Sequence, residues 1–148
     1  MRIKIVSTVN NDIKSIFAGF DKELFLKLAP PFPPVRLLRF DGCQKGDEVH
    51  LEILIPFIPQ RWDALITDFG ASDSQIFFID EGTRLPFFLK TWRHWHGIQQ
   101  SSELSKSLII DDFEYTTPYK LLDYVMYPVL YLQFLYRKPV YKRIFNRN

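Results

Sequence analysis

Residues 118–146 read PYKLLDYVMYPVLYLQFLYRKPVYKRIFN, and the rest of the chain is organised around this stretch. Leu122, Val125, Met126, Val129, Gln133 and Tyr136 recur at helical spacing and are mostly apolar. Leu121, Tyr124, Pro128, Tyr131, Leu132 and Leu135 fill much of the other side. A helix that is apolar nearly all round is normally buried by something. Pro118 suits a first helical turn, where a missing N–H is tolerated. Pro128 predicts a kink, and Pro139 the start of a separate last turn. Arg137, Lys138, Lys142, Arg143 and Arg147 crowd the end, where positive charge suits the helix dipole. Asp123 and Gln133 interrupt the run from Leu121 to Tyr136, which is shorter than the ~20 apolar residues of a membrane span.

The chain before this helix reads mainly as strands. Arg2 to Val9 alternates, as a half-buried strand does. Asn10 or Asn11 is placed to cap a short helix with Ile13, Ile16 and Phe17, and Asp21 to cap a second with Leu24, Phe25 and Leu28. Ala29 to Pro34 is a proline-rich connector. Further strands are predicted over 35–40, 49–55, 60–68, 75–80, 87–99 and 107–117, with a loop over 81–86. Consecutive strands with short turns imply an antiparallel meander whose apolar face needs a cover. The fold class is therefore α+β: a curved antiparallel sheet of six to seven strands wrapped around a long C-terminal helix, with two short helices after the first strand.

Composition sets the outer bounds. A length of 148 residues implies one domain, residues 1–148, able to bury a core without staples. A net charge of +2 gives no electrostatic case for nucleic acid. Cys43 is the sole cysteine, so no intrachain disulfide forms and a reducing compartment fits. Arg2 to Val9 does not read as a signal peptide, and a cytoplasmic protein is expected. Aromatic residues make up 16% of the chain, enough to line an apolar pocket as well as fill a core.

Several segments together resemble a known family. They are the helical segment Asp12-Ile13-Lys14-Ser15-Ile16-Phe17, the turn Lys45-Gly46-Asp47-Glu48-Val49, and the strand Trp92-Arg93-His94-Trp95-His96. Asp111-Asp112-Phe113-Glu114-Tyr115 and Pro118 follow in the same order. The chain thereby resembles the START-like helix-grip superfamily (SRPBCC) of polyketide cyclases/dehydrases and lipid-transport proteins. It departs from the pattern at Asn11-Asp12, where members often carry proline, and in its heavier terminal helix. The resemblance implies a sheet gripping the helix with an apolar cavity between them, and leaves binders, carriers and enzymes all open.

His94 and His96 stand two apart on a strand and so face one way, with Trp92 on the same side and Arg93 and Trp95 on the other. Two imidazoles so placed could serve zinc, but a further ligand would have to come from His50, Glu81, Asp111, Asp112 or Glu114, none of them marked out clearly, so no metal or other cofactor is expected. His96 with Asp111 on the next strand is the candidate acid–base pair. The candidate ligand-binding set is Trp62, Phe78, Trp92, Arg93, His94, His96, Phe113, Tyr115, Leu122, Val125, Met126 and Val129. Arg84, Arg93 and Arg137 are candidate anion anchors. The leading expectation is a binder of a hydrophobic small molecule (lipid, aromatic or polyketide-like) in a cavity of ~300–1,000 Å³. The rivals are a cyclase/dehydratase-type enzyme using that cavity and an interaction protein with a filled one. In the last, the terminal helix forms a homodimer or its basic end touches a membrane surface.

Overall fold

The structure, a computed structural model, describes residues 1–146. Arg147, counted above with the basic end of the helix, lies outside the described residues. The chain runs β1 (Arg2–Val9), α1 (Ile13–Ala18), α2 (Lys22–Leu28), β2 (Val35–Phe40), β3 (Glu48–Ile53), β4 (Gln60–Ala71), β5 (Gln75–Arg84), β6 (Thr91–Gln100), β7 (Ser107–Thr116), α3 (Lys120–Leu135) and α4 (Arg137–Phe145). The seven strands form one sheet in the order β1-β7-β6-β5-β4-β3-β2, every pair antiparallel. β2 to β7 are a meander, and β1 closes the order by pairing with β7. Register shifts at Leu37/Arg39, Asp63/Ala64 and Ile66/Asp68 bend the sheet around its inner face.

Local chemistry explains most boundaries. α1 is capped by the carboxylate of Asp12, which accepts from the Ser15 amide at 2.9 Å, so the cap sits one residue beyond the expected asparagines. Asp21 caps α2 as read from the sequence. β6 starts at Thr91 rather than Phe87, because Pro86 to Leu89 form a turn closed by the Leu89 amide on the Pro86 carbonyl. β5 runs on to Arg84 through residues expected to be loop, since β4 continues far enough to pair with them.

The terminal helix is nearly continuous and breaks at Tyr136. Pro139 has no N–H for the carbonyl one turn back, so the ladder is interrupted at this point. The start of α3 is tied to the sheet: the Tyr115 hydroxyl donates to the Asp123 carbonyl at 2.7 Å, and the Asp123 carboxylate accepts from the Thr117 amide at 2.7 Å. The helix is not covered all round. Its inward face follows Met126, Leu130, Phe134, Val140, Tyr141 and Phe145. Val125 is 56% and Val129 42% exposed, so the buried stripe is turned from the expected one. A sheet covers one side of a helix only, and the outer apolar residues are left in solvent.

Two apolar cores fill the space between sheet and helix. One gathers Ile76, Ile98, Ile109, Val9 and the α1, α2 and α4 residues Ile16, Leu24 and Phe145. The other gathers Ile3, Ile5, Trp92, Phe113 and Tyr115 against Leu130 and Phe134 of α3. Phe134 lies tilted against Phe113, with ring centroids 4.2 Å apart, and contacts Trp92 and His94. Phe134→Ala is expected to lower unfolding free energy by about 3–5 kcal/mol, read as a shift of the urea midpoint, because the ring leaves a void between rigid neighbours. Leu132→Ala on the outer face should shift it by less than about 1 kcal/mol.

Candidate functional site

The inward positions of β6 are Trp92, His94, His96 and Ile98, and those of β7 are Ile109, Asp111, Phe113 and Tyr115. Trp92, Phe113 and Tyr115 belong to one core, Ile98 and Ile109 to the other. His94, His96 and Asp111 therefore form a polar layer between the two cores. β5 adds Asp80, two residues from inward-facing Phe78 and paired in register with His94. Arg137, the first residue of α4, reaches the layer from the helix.

Every group in the layer has a partner. His94 Nε2 is 3.1 Å from Asp111 Oδ1, and Arg137 donates to the same oxygen at 3.2 Å. His96 Nε2 is 2.6 Å from Asp80 Oδ2, and the Trp92 indole N–H donates to Asp80 Oδ1 at 2.9 Å. The expected pair, His96 with Asp111, lies in register across β6 and β7, yet His96 Nδ1 stays 3.8 Å from Asp111. His94 takes that carboxylate and His96 turns to Asp80. Arg137 also sits over the Phe134 ring at 4.0 Å, which adds a cation–π contact.

Burial governs the charge states. Burial, together with the nearby His96 imidazole, pushes His94 down to about 4, so the ring is neutral at pH 7. Burial opposes ionisation of Asp111, but His94 and Arg137 outweigh it and hold the carboxyl at about 2. Asp80 likewise stays below the usual carboxylate range: its hydrogen bond from His96 and the neighbouring imidazoles offset its burial.

A cavity of about 180 Å³ lies against this layer. Asp80, His94, His96 and Arg137 supply one polar wall; the rest is mainly apolar, from Phe20, Leu24, Leu51, Trp62, Phe78 and Phe134. Cys43 also lines it, and burial pushes its thiol up to about 12. The cavity is smaller than the range expected from the sequence, because Phe78, Trp92 and Phe134 turn their rings into it.

No protein-family model matches the sequence, and no curated protein matches it. Solved structures do. An aromatase/cyclase from Streptomyces sp. R1128 superposes with a TM-score of 0.71 at 9% identity, covering 95% of this chain and 90% of its own. The chain has the helix-grip fold. A norcoclaurine synthase from Thalictrum flavum aligns at TM-score 0.69 and 9% identity, over 97% of this chain and 92% of that one. Another structure of that enzyme is a complex with dopamine and hydroxybenzaldehyde. A major latex-like protein from Panax ginseng aligns at TM-score 0.62 and 13% identity, over 95% and 93%.

Within the helix-grip frame the sequence-derived residues divide. Trp62, Phe78, Trp92, His94 and His96 line the cavity. Phe113 and Tyr115 are fully buried in the core behind it. Leu122, Val125, Met126 and Val129 do not line the cavity, because its helical wall is made further along, by Leu130, Gln133, Phe134, Arg137 and Tyr141. Arg93 points to the outer face and pairs with Glu81 at 3.2 Å. Asp80 was not among the sequence-derived candidates, although its two-residue spacing from Phe78 places it on the inner face. Arg137, a candidate anion anchor, binds the Asp111 carboxylate instead of an outside anion.

The neutral, buried His94 has a consequence for stability. Its folded pKa, about 4, lies below the ordinary value of 6.5, so the unfolded chain binds more protons between these pH values. The urea midpoint is expected to be highest above pH 6.5 and to fall steadily towards pH 4, with Asp111 extending the loss below that. A midpoint independent of pH over that window would rule out a neutral buried imidazole.

Proposed function

We propose that the chain binds a small, mainly apolar aromatic molecule of one or two rings, with one polar atom turned to the His94–His96 wall. The observation that carries this reading is an apolar chamber of about 180 Å³ with its polar groups confined to one side. Cavities of ~150 Å³ accept benzene, whereas an extended acyl chain needs a longer channel. That one helix-grip neighbour is a complex with single-ring molecules supports the same size class. An enzyme of the cyclase/dehydratase type would use the same wall, with His96 paired to Asp80 in place of Asp111.

In calorimetric titration 2-naphthol is expected to bind saturably with one site per chain, and hexadecanoate not to bind there. Ala64→Leu, which narrows the chamber from the sheet side, should weaken 2-naphthol by about tenfold or more with its circular dichroism unchanged. Occupancy should also slow alkylation of Cys43. Equal binding by wild type and Ala64→Leu would overturn the reading.

A second reading concerns the outside of α3. Leu121, Tyr124, Val125 and Leu132 are each more than half exposed on α3, as is Tyr119 just before it, and the exposed Lys142 and Arg143 stand beyond its end. Apolar surface bordered by positive charge fits an anionic membrane surface. The chain is expected to co-sediment with vesicles containing phosphatidylserine, to release at high salt, and to lose binding in Leu121→Ser/Leu132→Ser. A concentration-dependent dimer with no vesicle binding would assign the face to a second copy instead.

A further inference from the structure

We propose that Asp80, His94 and His96 form a binding site for a divalent transition-metal ion on the polar wall of the cavity. Two imidazoles and a carboxylate are the donor set of a catalytic-type zinc or iron(II) centre, which leaves the remaining coordination positions to water or a bound molecule. One donor atom from each residue lies within 4.8 Å of the other two. Asp80 Oδ2 is 3.5 Å from His94 Nδ1 and 2.6 Å from His96 Nε2. Donors around a tetrahedral ion with bonds of about 2.1 Å stand ~3.4 Å apart. The first gap already matches. The second has to open by less than about 1 Å as a hydrogen bond gives way to two metal bonds.

The hydrogen-bond pattern points the same way. His94 Nε2 faces Asp111, a carboxylate that accepts, which assigns the donor role to that nitrogen. His94 Nδ1 then directs a lone pair at Asp80 Oδ2, another acceptor. A cation between them turns that opposed pair into two ligands.

The outer shell is also in place. Asp111 orients His94 from its far nitrogen, the carboxylate–imidazole–metal arrangement that fixes ligand direction. The Trp92 N–H holds the other oxygen of Asp80. Arg137 in turn fixes Asp111. The ligands project from the centres of neighbouring strands β5 and β6 rather than from loops, so the site needs little ordering. It does not depend on what the cavity holds: metal binding is measurable with no organic ligand present.

The untagged chain, stripped with chelator, is titrated with Co²⁺ and followed by its visible absorption, and Zn²⁺ is then added as competitor. One equivalent should bind with a dissociation constant below about 10 µM and be displaced by Zn²⁺. Asp80→Asn and His96→Gln should each weaken binding at least about a hundredfold, and Asp111→Asn about tenfold to a hundredfold. His50→Gln, which removes an imidazole on a separate Glu48–His50 pair, should leave it unchanged. Wild-type protein should also unfold at higher temperature with Zn²⁺ than with chelator, a readout independent of variants that fail to fold. No saturable Co²⁺ binding by the wild type, or binding lost only in His50→Gln, would overturn the assignment.

Discussion

The contact on which the arrangement depends is the bond from Arg137 to Asp111. It joins the middle of the sheet to the point where the terminal helix breaks. Asp111 is 1% exposed, and a carboxylate so deep in the protein is sustained only when charge and hydrogen bonds replace water. Arg137 and His94 do this together. The helix cannot slide or rotate past the sheet without stripping that carboxylate of a partner. An apolar interface alone would tolerate such a slip far better, since dispersion contacts re-form in many registers.

That constraint shapes the cavity. With the helix fixed at Arg137, Phe134 is directed into one core and Tyr141 into the other, one turn on either side. The polar layer keeps the two cores from merging. Space is left where the aromatic rings of β4, β5 and β6 meet the helix but cannot close over the charged groups. The result is a small chamber with one polar wall rather than a long apolar tunnel. In the function proposed above, that wall orients the bound molecule by its polar atom while the rings supply area.

The helix's two faces have different origins. The inner face is set by the sheet. The outer face carries tyrosines and leucines that no described element covers. An amphipathic helix of an ordinary domain would show charge there. Its apolar outside is what made the stretch look buried all round in the sequence, and the same residues stand exposed in the structure.

The sequence by itself determined the element order, the antiparallel meander, the caps at Asp21 and the pairing partner of β6, because period-two alternation and turn residues are local signals. It also fixed that His94 and His96 share a face with Trp92. What only the tertiary structure decided was which carboxylate meets which imidazole. The sequence pointed to His96 with Asp111, but strand register places Asp80 beside them from the other side, and side-chain rotation then gives Asp111 to His94. The buried stripe of α3 was likewise undecided locally, since a helix apolar on all sides has no periodic signal to say which side the sheet takes. Long-range pairing and the reach of Arg137 settle both, and neither is written in any short window of the chain.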